Sequence, residues 1–98
     1  MIEKLKDEHL DLLYDAILTL DSRKACYDFF EDLCTVPELK AMAQRLYVAQ
    51  LLRKKEVYRE IVAKTGASTA TISRVNRTLN YGSNGYIKIF ERLEKKKK

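Results

Sequence analysis

Apolar positions recur along this chain at the three- and four-residue spacing of helices, and no stretch alternates apolar and polar residues long enough to predict a strand. The class expected is all-α. Over about residues 2–20, Leu10, Leu13, Ile17 and Leu20 share one face, while Leu12, Ala16 and Leu18 widen the apolar surface beyond a simple stripe. Such a helix needs burial on more than one side. Asp21 or Ser22 can cap a second helix, carrying Cys26, Phe29, Phe30, Leu33 and Cys34 and stopping near Thr35.

Thr35-Val36-Pro37-Glu38 has the form of a capping box, with the threonine hydroxyl on an orphan amide and the glutamate reaching back. Pro37 then falls in the first turn, where its missing N–H costs least. The helix it opens runs to about Lys54, with Leu39, Met42, Leu46 and Ala49 on one face and Ala41, Val48 and Leu52 on another. Three helices with this much apolar surface exceed what one 98-residue chain can cover, so a second copy packed among them is expected.

From Val57 to Leu79 the pattern is a short helix, a tight turn and a second helix. Ile61, Val62 and Ala63 are expected to supply the apolar contacts of the first, and Ile72, Val75 and Leu79 those of the second. Thr65-Gly66-Ala67-Ser68 makes the turn: Gly66 can take a left-handed conformation, and small Ala63 and Ala67 allow the helices to cross closely. Ser68 or Thr69 caps the second helix. Tyr81-Gly82-Ser83-Asn84-Gly85 is expected as a loop, with Ser83 or Asn84 capping a last helix over about residues 84–95 that buries Ile87, Phe90 and Leu93.

The second helix of this pair leaves Thr69, Ala70, Ser73, Arg74 and Arg77 outward, with Thr71 on the flank. Small hydroxyls and a methyl can approach base edges in a major groove, and arginines can take phosphate or guanine. Ser68 stands at the start of that helix. Tyr58, Arg59 and Lys64 on the first helix are placed to meet backbone phosphates.

Charge sharpens this picture. Residues 1–50 hold six Lys or Arg against ten Asp or Glu, a balance of −4, whereas residues 51–98 hold thirteen against four, a balance of +9. Without the terminal lysines Lys95–Lys98 the second half still carries +5. That is the footprint of a polyanion-binding surface, and double-stranded DNA is the partner expected.

Other chemistries find little support. Cys26 and Cys34, on one helix, lie about 12 Å apart at a rise of about 1.5 Å per residue, too far to bridge, and are expected as reduced thiols. His9 and the two cysteines match no zinc spacing, so no metal and no cofactor are expected, and His9 is expected on a helix surface. No nucleophile–base pair, phosphate-cradling glycine loop or paired-carboxylate site is present, and Asp28, Glu31 and Asp32 fit a solvated helix face, so the chain is not expected to be an enzyme. No run approaches a membrane span and the acidic start is unlike a signal peptide, so a soluble cytoplasmic protein is expected.

The run Thr65-Gly66-Ala67-Ser68-Thr69-Ala70-Thr71-Ile72-Ser73-Arg74, with Asn76 and Thr78-Leu79 after it, resembles the DNA-binding segment of the bacterial Trp repressor family. The whole chain is similar to the YerC/YecD group of Trp-repressor-like proteins, most specifically over residues 35–80. The resemblance implies a six-helix fold forming a single domain, 1–98, and an intertwined homodimer. Residues 1–55 would form the dimerisation core, 57–79 the helix-turn-helix and 84–95 the C-terminal helix.

It also implies a place for an effector. In the Trp repressor the tryptophan corepressor is flanked by two arginines, which Arg45 and Arg74 match; Thr35 matches a threonine of the pocket wall and Thr78 replaces a serine. At Val75 the family has a glycine that leaves space against the ligand. The reading preferred is that Val75 packs the reading head onto the core, that Arg45 and Arg74 make structural or phosphate contacts, and that tryptophan is not the corepressor. A bacterial transcription regulator that binds specific DNA sequences follows. The alternatives are a repressor gated by an amino-acid-like effector, and an adaptor that docks its helix-turn-helix on another protein.

Overall fold

The computed structural model describes residues 7–96, and within them the chain is helical throughout its regular structure. Residues 2–6 of the expected first helix, and Lys97 and Lys98 of the lysine run, lie outside the described residues. Six helices follow one another: α1 (Glu8–Leu18), α2 (Arg23–Leu33), α3 (Val36–Arg53), α4 (Tyr58–Thr65), α5 (Thr69–Tyr81) and α6 (Gly85–Lys96). They divide into two compact units, Met1–Val36 and Pro37–Lys98.

In the first unit local hydrogen bonds fix the helix starts. Asp7 Oδ1 accepts from the Leu10 amide at 2.7 Å, and Ser22 Oγ accepts from the Ala25 amide at 3.0 Å, each satisfying an N–H that has no carbonyl a turn earlier. Lys24 and Asp28 pair along the exposed side of α2 at 2.8 Å, a surface contact worth little. Phe29 and Phe30 meet edge to face, 5.3 Å between centroids. No residue of α1 or α2 is buried, and Leu12, Leu18 and Leu33 are 68 %, 81 % and 51 % exposed. Leu33, expected on a packed face, is therefore open. Cys26 and Cys34 are free, partly covered thiols, and His9 is exposed on α1.

The second unit has a core. Val48, Ala49 and Leu51 of α3 pack with Ile61 of α4, Ala67 of the turn, Ile72 and Val75 of α5 and Phe90 of α6, with Leu52 and Tyr86 against them. Tyr86 and Phe90 stack one turn apart, and the Arg53 guanidinium lies over the Phe90 ring at 5.9 Å while pairing with Glu94. Several expected contacts fall elsewhere. Val62 is 37 % exposed and Ala63 is exposed, so Ile61 alone anchors α4; the helix has eight residues, and its short inner face has room for one large side chain. Leu93 is 44 % exposed and Ile87 only partly covered, leaving Phe90 as the buried residue of α6.

The connection after α5 is shorter than the turn residues suggest. Tyr81 completes α5 and Gly85 opens α6, leaving Gly82–Asn84 as the link. Asn84 adopts φ 64, which asparagine tolerates, and its carbonyl accepts from the Lys88 amide at 3.1 Å. Gly82 donates its N–H to the Thr78 carbonyl at 2.8 Å, and a Cβ there would stand 2.4 Å from that same oxygen. Gly82→Ala is thus expected to cost about 1–3 kcal/mol, because backbone must move to relieve the overlap. Thermal denaturation measures it, and an unchanged midpoint would show that the link adapts freely.

Candidate nucleic-acid interface

The helix-turn-helix is held by a small set of backbone-directed contacts. Gly66 ends α4 at φ 72, in the left-handed region, and donates to the Val62 carbonyl at 2.9 Å. Thr65 Oγ1 donates to the Ile61 carbonyl at 2.7 Å and accepts from the Ala67 amide at 3.0 Å, so one hydroxyl closes α4 and shapes the turn. Ala67 is 2 % exposed, and its small side chain is what lets the turn sit against the core. Ser68 Oγ then accepts from the Thr71 amide at 3.1 Å and caps α5.

Gln44 adds a long-range tie that sequence reading missed. Its Nε2, on α3, donates to the Thr65 carbonyl at 3.1 Å, fixing the end of α4 to the helix beneath it. A glutamine in a helix gives no sign of this, because the partner lies 21 residues away along the chain.

On α5, Ile72 and Val75 are buried and Leu79 half-buried, which turns the opposite side of the helix outward. Ser68, Thr69, Ala70, Ser73, Arg74 and Arg77 are exposed, and Thr71 is half-buried at the flank. The expected outward set thus shares one accessible face. On α4, Tyr58 and Arg59 are exposed. Lys64 is differently placed: its Nζ donates to Glu56 Oε1 at 2.7 Å. That hydrogen bond raises the Lys64 pKa above its ordinary value, with the nearby Glu56 and Glu60 charges adding to the rise and desolvation opposing it. A phosphate must therefore compete with Glu56 for this ammonium.

The residues matched to an effector pocket do not form one cluster within a single unit. Thr35 belongs to the first unit, and Arg45, Arg74, Val75 and Thr78 to the second. Arg45, Arg74 and Thr78 are exposed, and Thr78 Oγ1 donates to the Arg74 carbonyl at 3.1 Å. Val75 is 3 % exposed, and its branched side chain is part of the core. Among the described residues no group of three or more His, Cys, Asp or Glu is placed to hold a metal ion, and no helix is long and apolar enough to cross a membrane.

Comparison with known proteins agrees with this geometry. Residues 8–94 match the family described as Trp repressor protein. The chain is 50 % identical over 93 residues to YerC of Bacillus subtilis strain 168, covering 95 % of this chain and 89 % of that one. Among solved structures, a TrpR-like protein from Eubacterium eligens ATCC 27750 superposes with a TM-score of 0.91 at 53 % identity, covering 94 % of this chain and 95 % of that one. A Staphylococcus aureus structure gives 0.92 at 50 % identity, covering 96 % and 94 %.

Proposed function

This chain belongs to the Trp repressor family, and from that premise we propose that it is a homodimeric, sequence-specific DNA-binding transcription regulator of the bacterial cytoplasm that works without tryptophan. The observation that carries the proposal is the outward face of α5. Its core side is pinned by Ile72 and Val75, its start is capped by Ser68, and what is exposed from Thr69 to Arg77 is a methyl, small hydroxyls and two arginines, with Asn80 and Tyr81 exposed at its far end. Short side chains let a helix enter a major groove closely enough to read base edges, and arginines at its margins supply charge. Tyr58 and Arg59 of α4 support the same docking from the side of the groove.

Selection of bound sequences from a random duplex pool tests this reading. Enrichment of a pseudo-palindrome with half-sites about one helical turn apart is the result expected of a dimer with two reading heads. Failure to enrich any motif, with Arg74 and Arg77 instead required for capture of a protein partner, would assign the helix-turn-helix to an adaptor.

Independence from tryptophan rests on Val75. The family's glycine leaves room against the corepressor, whereas here a branched side chain is buried at that place and contributes to the core. Forcing an indole against it costs about 1–3 kcal/mol by overpacking, which is about 5- to 150-fold in affinity. The protein is therefore expected to bind its best DNA sequence equally well with and without millimolar tryptophan, and calorimetry to show no heat of binding. Val75→Gly reopens the space but also strips a packing side chain from the recognition helix. Tryptophan-dependent DNA affinity in the wild type would return the corepressor to the mechanism.

A further inference from the structure

A groove of about 400 Å³ opens in the second unit beside the recognition helix, within the roughly 300–1,000 Å³ of small-molecule sites. The end of α3 (Leu52, Arg53), the turn after it (Lys55, Glu56), the last part of α5 (Asn76, Leu79, Asn80) and Ile87 of α6 line it. Helix periodicity places Asn76 and Asn80 on one flank of the buried stripe of α5, and Arg74 and Thr78 on the other. The groove is therefore separate from the residues that match a tryptophan pocket.

Lys55 is the informative residue. Its amide donates to the Leu52 carbonyl at 2.9 Å and the Glu56 amide to the Leu51 carbonyl at 3.1 Å, the bonding of a helix end that glycine usually completes. Lys55 holds φ 69, in the left-handed region, where a side chain carries a penalty that glycine avoids. The chain thus keeps a lysine where local backbone chemistry favours glycine, and that lysine lines the groove. A conformational outlier of this kind points to a role for its side chain.

The other groups have assigned partners. Arg53 is held by Glu94 and the Phe90 ring, Glu56 Oε1 by Lys64, and Asn80 Nδ2 by the carbonyl and Oδ1 of Asn76. Among the described residues Lys55 makes no ion pair. The lining of the groove therefore combines one ammonium without an ion pair, a guanidinium and a carboxylate that are already paired, two carboxamides, and the apolar side chains of Leu52, Leu79 and Ile87.

We propose that this groove binds a small organic carboxylate with a short branched aliphatic body, its carboxylate taken by Lys55 and Arg53 and its body by Leu52, Leu79 and Ile87. A ligand seated there ties the end of α3 to the recognition helix. Any consequence for DNA affinity rests on the DNA-binding reading above, whereas the site itself does not.

The test is an NMR titration of the full chain, without DNA, using isovalerate as the probe and acetate and isovaleramide as controls. Isovalerate is expected to shift the Lys55, Glu56, Asn76 and Asn80 signals saturably in the millimolar range. Acetate lacks the body and isovaleramide the charge, and each is expected to bind about tenfold more weakly or worse. Lys55→Gly is expected to raise the melting temperature by relieving the left-handed backbone, yet to lose isovalerate binding about tenfold or more. Lys55→Met, which keeps the backbone penalty and the apolar stem, is expected to lose the binding without the gain in stability. No saturable shift at these residues, equal binding of isovaleramide, or undiminished binding by Lys55→Gly would each overturn the proposal. Because no DNA is present, none of these results depends on whether the protein reads an operator.

Discussion

Replacing Arg74 and Arg77 together by alanine is expected to weaken binding to the selected duplex about 100-fold or more at moderate salt, with the helical fold retained. Both side chains are exposed and stand on the accessible face of α5, so their loss removes charge and hydrogen-bond donors without opening the core formed by Ile72 and Val75. In a dimer four guanidinium groups disappear at once. Binding titrations across a salt series separate the two roles an arginine can have. Every phosphate that is no longer neutralised should flatten the logarithmic salt slope by about 0.9, while an arginine withdrawn from guanine should cost affinity at one base pair and leave the slope alone. Thr69→Asp is the complementary change. Thr69 is exposed at the start of α5, and a carboxylate there meets the phosphate backbone with the wrong sign while remaining favourable to the helix dipole. It should therefore weaken DNA binding without unfolding the protein. Unchanged affinity in both variants would mean that α5 does not enter the groove.

Exchanging Leu12 and Leu18 for glutamate is expected to abolish the folded dimer. In the isolated chain these leucines are 68 % and 81 % exposed, and no residue of α1 or α2 is buried. A true monomer would hardly notice the exchange, since surface substitutions usually fall within about 0.5 kcal/mol. If a second copy covers them, each buried leucine contributes about 1.5–3 kcal/mol, so four in a dimer contribute about 6–12 kcal/mol, comparable with the whole stability of a small domain. Sedimentation and thermal denaturation across a wide concentration range decide between these cases. The wild type should show no folded monomer and a melting temperature that rises with concentration, and the double variant should lose cooperative unfolding. A wild-type monomer that stays compact on dilution, or a double variant that melts unchanged, would mean that no core is shared between two copies.

The helix-turn-helix was legible in the sequence because the signals that build it are local. Gly66 does take the left-handed conformation, Ser68 does cap α5, and Thr69, Ala70, Ser73, Arg74 and Arg77 do share an exposed face. Each depends on residues within about a turn of one another, where periodicity and capping chemistry act directly. The same holds for Ser22 at the start of α2. The expectation failed where local chemistry allowed two outcomes. Tyr81 and Gly85 both suit a loop, yet the helices extend over them.

By itself, then, the sequence determined an all-helical chain, the approximate positions of its helices, the turn that joins α4 to α5, and a basic second half in which α5 turns short side chains and two arginines outward. Only the tertiary structure decided which apolar residues are covered: Ile61 and Phe90 go inside, while Val62, Ala63 and Leu93 of the same expected faces do not. It alone joined Gln44 to Thr65 and brought Arg53 and Lys55 to one groove with Asn76 and Asn80. The reason is physical. A helix and its caps are settled by neighbours a few residues away, whereas burial and long-range hydrogen bonds depend on which surfaces the packed chain sets against each other, and residues tens of positions apart carry no local mark of that.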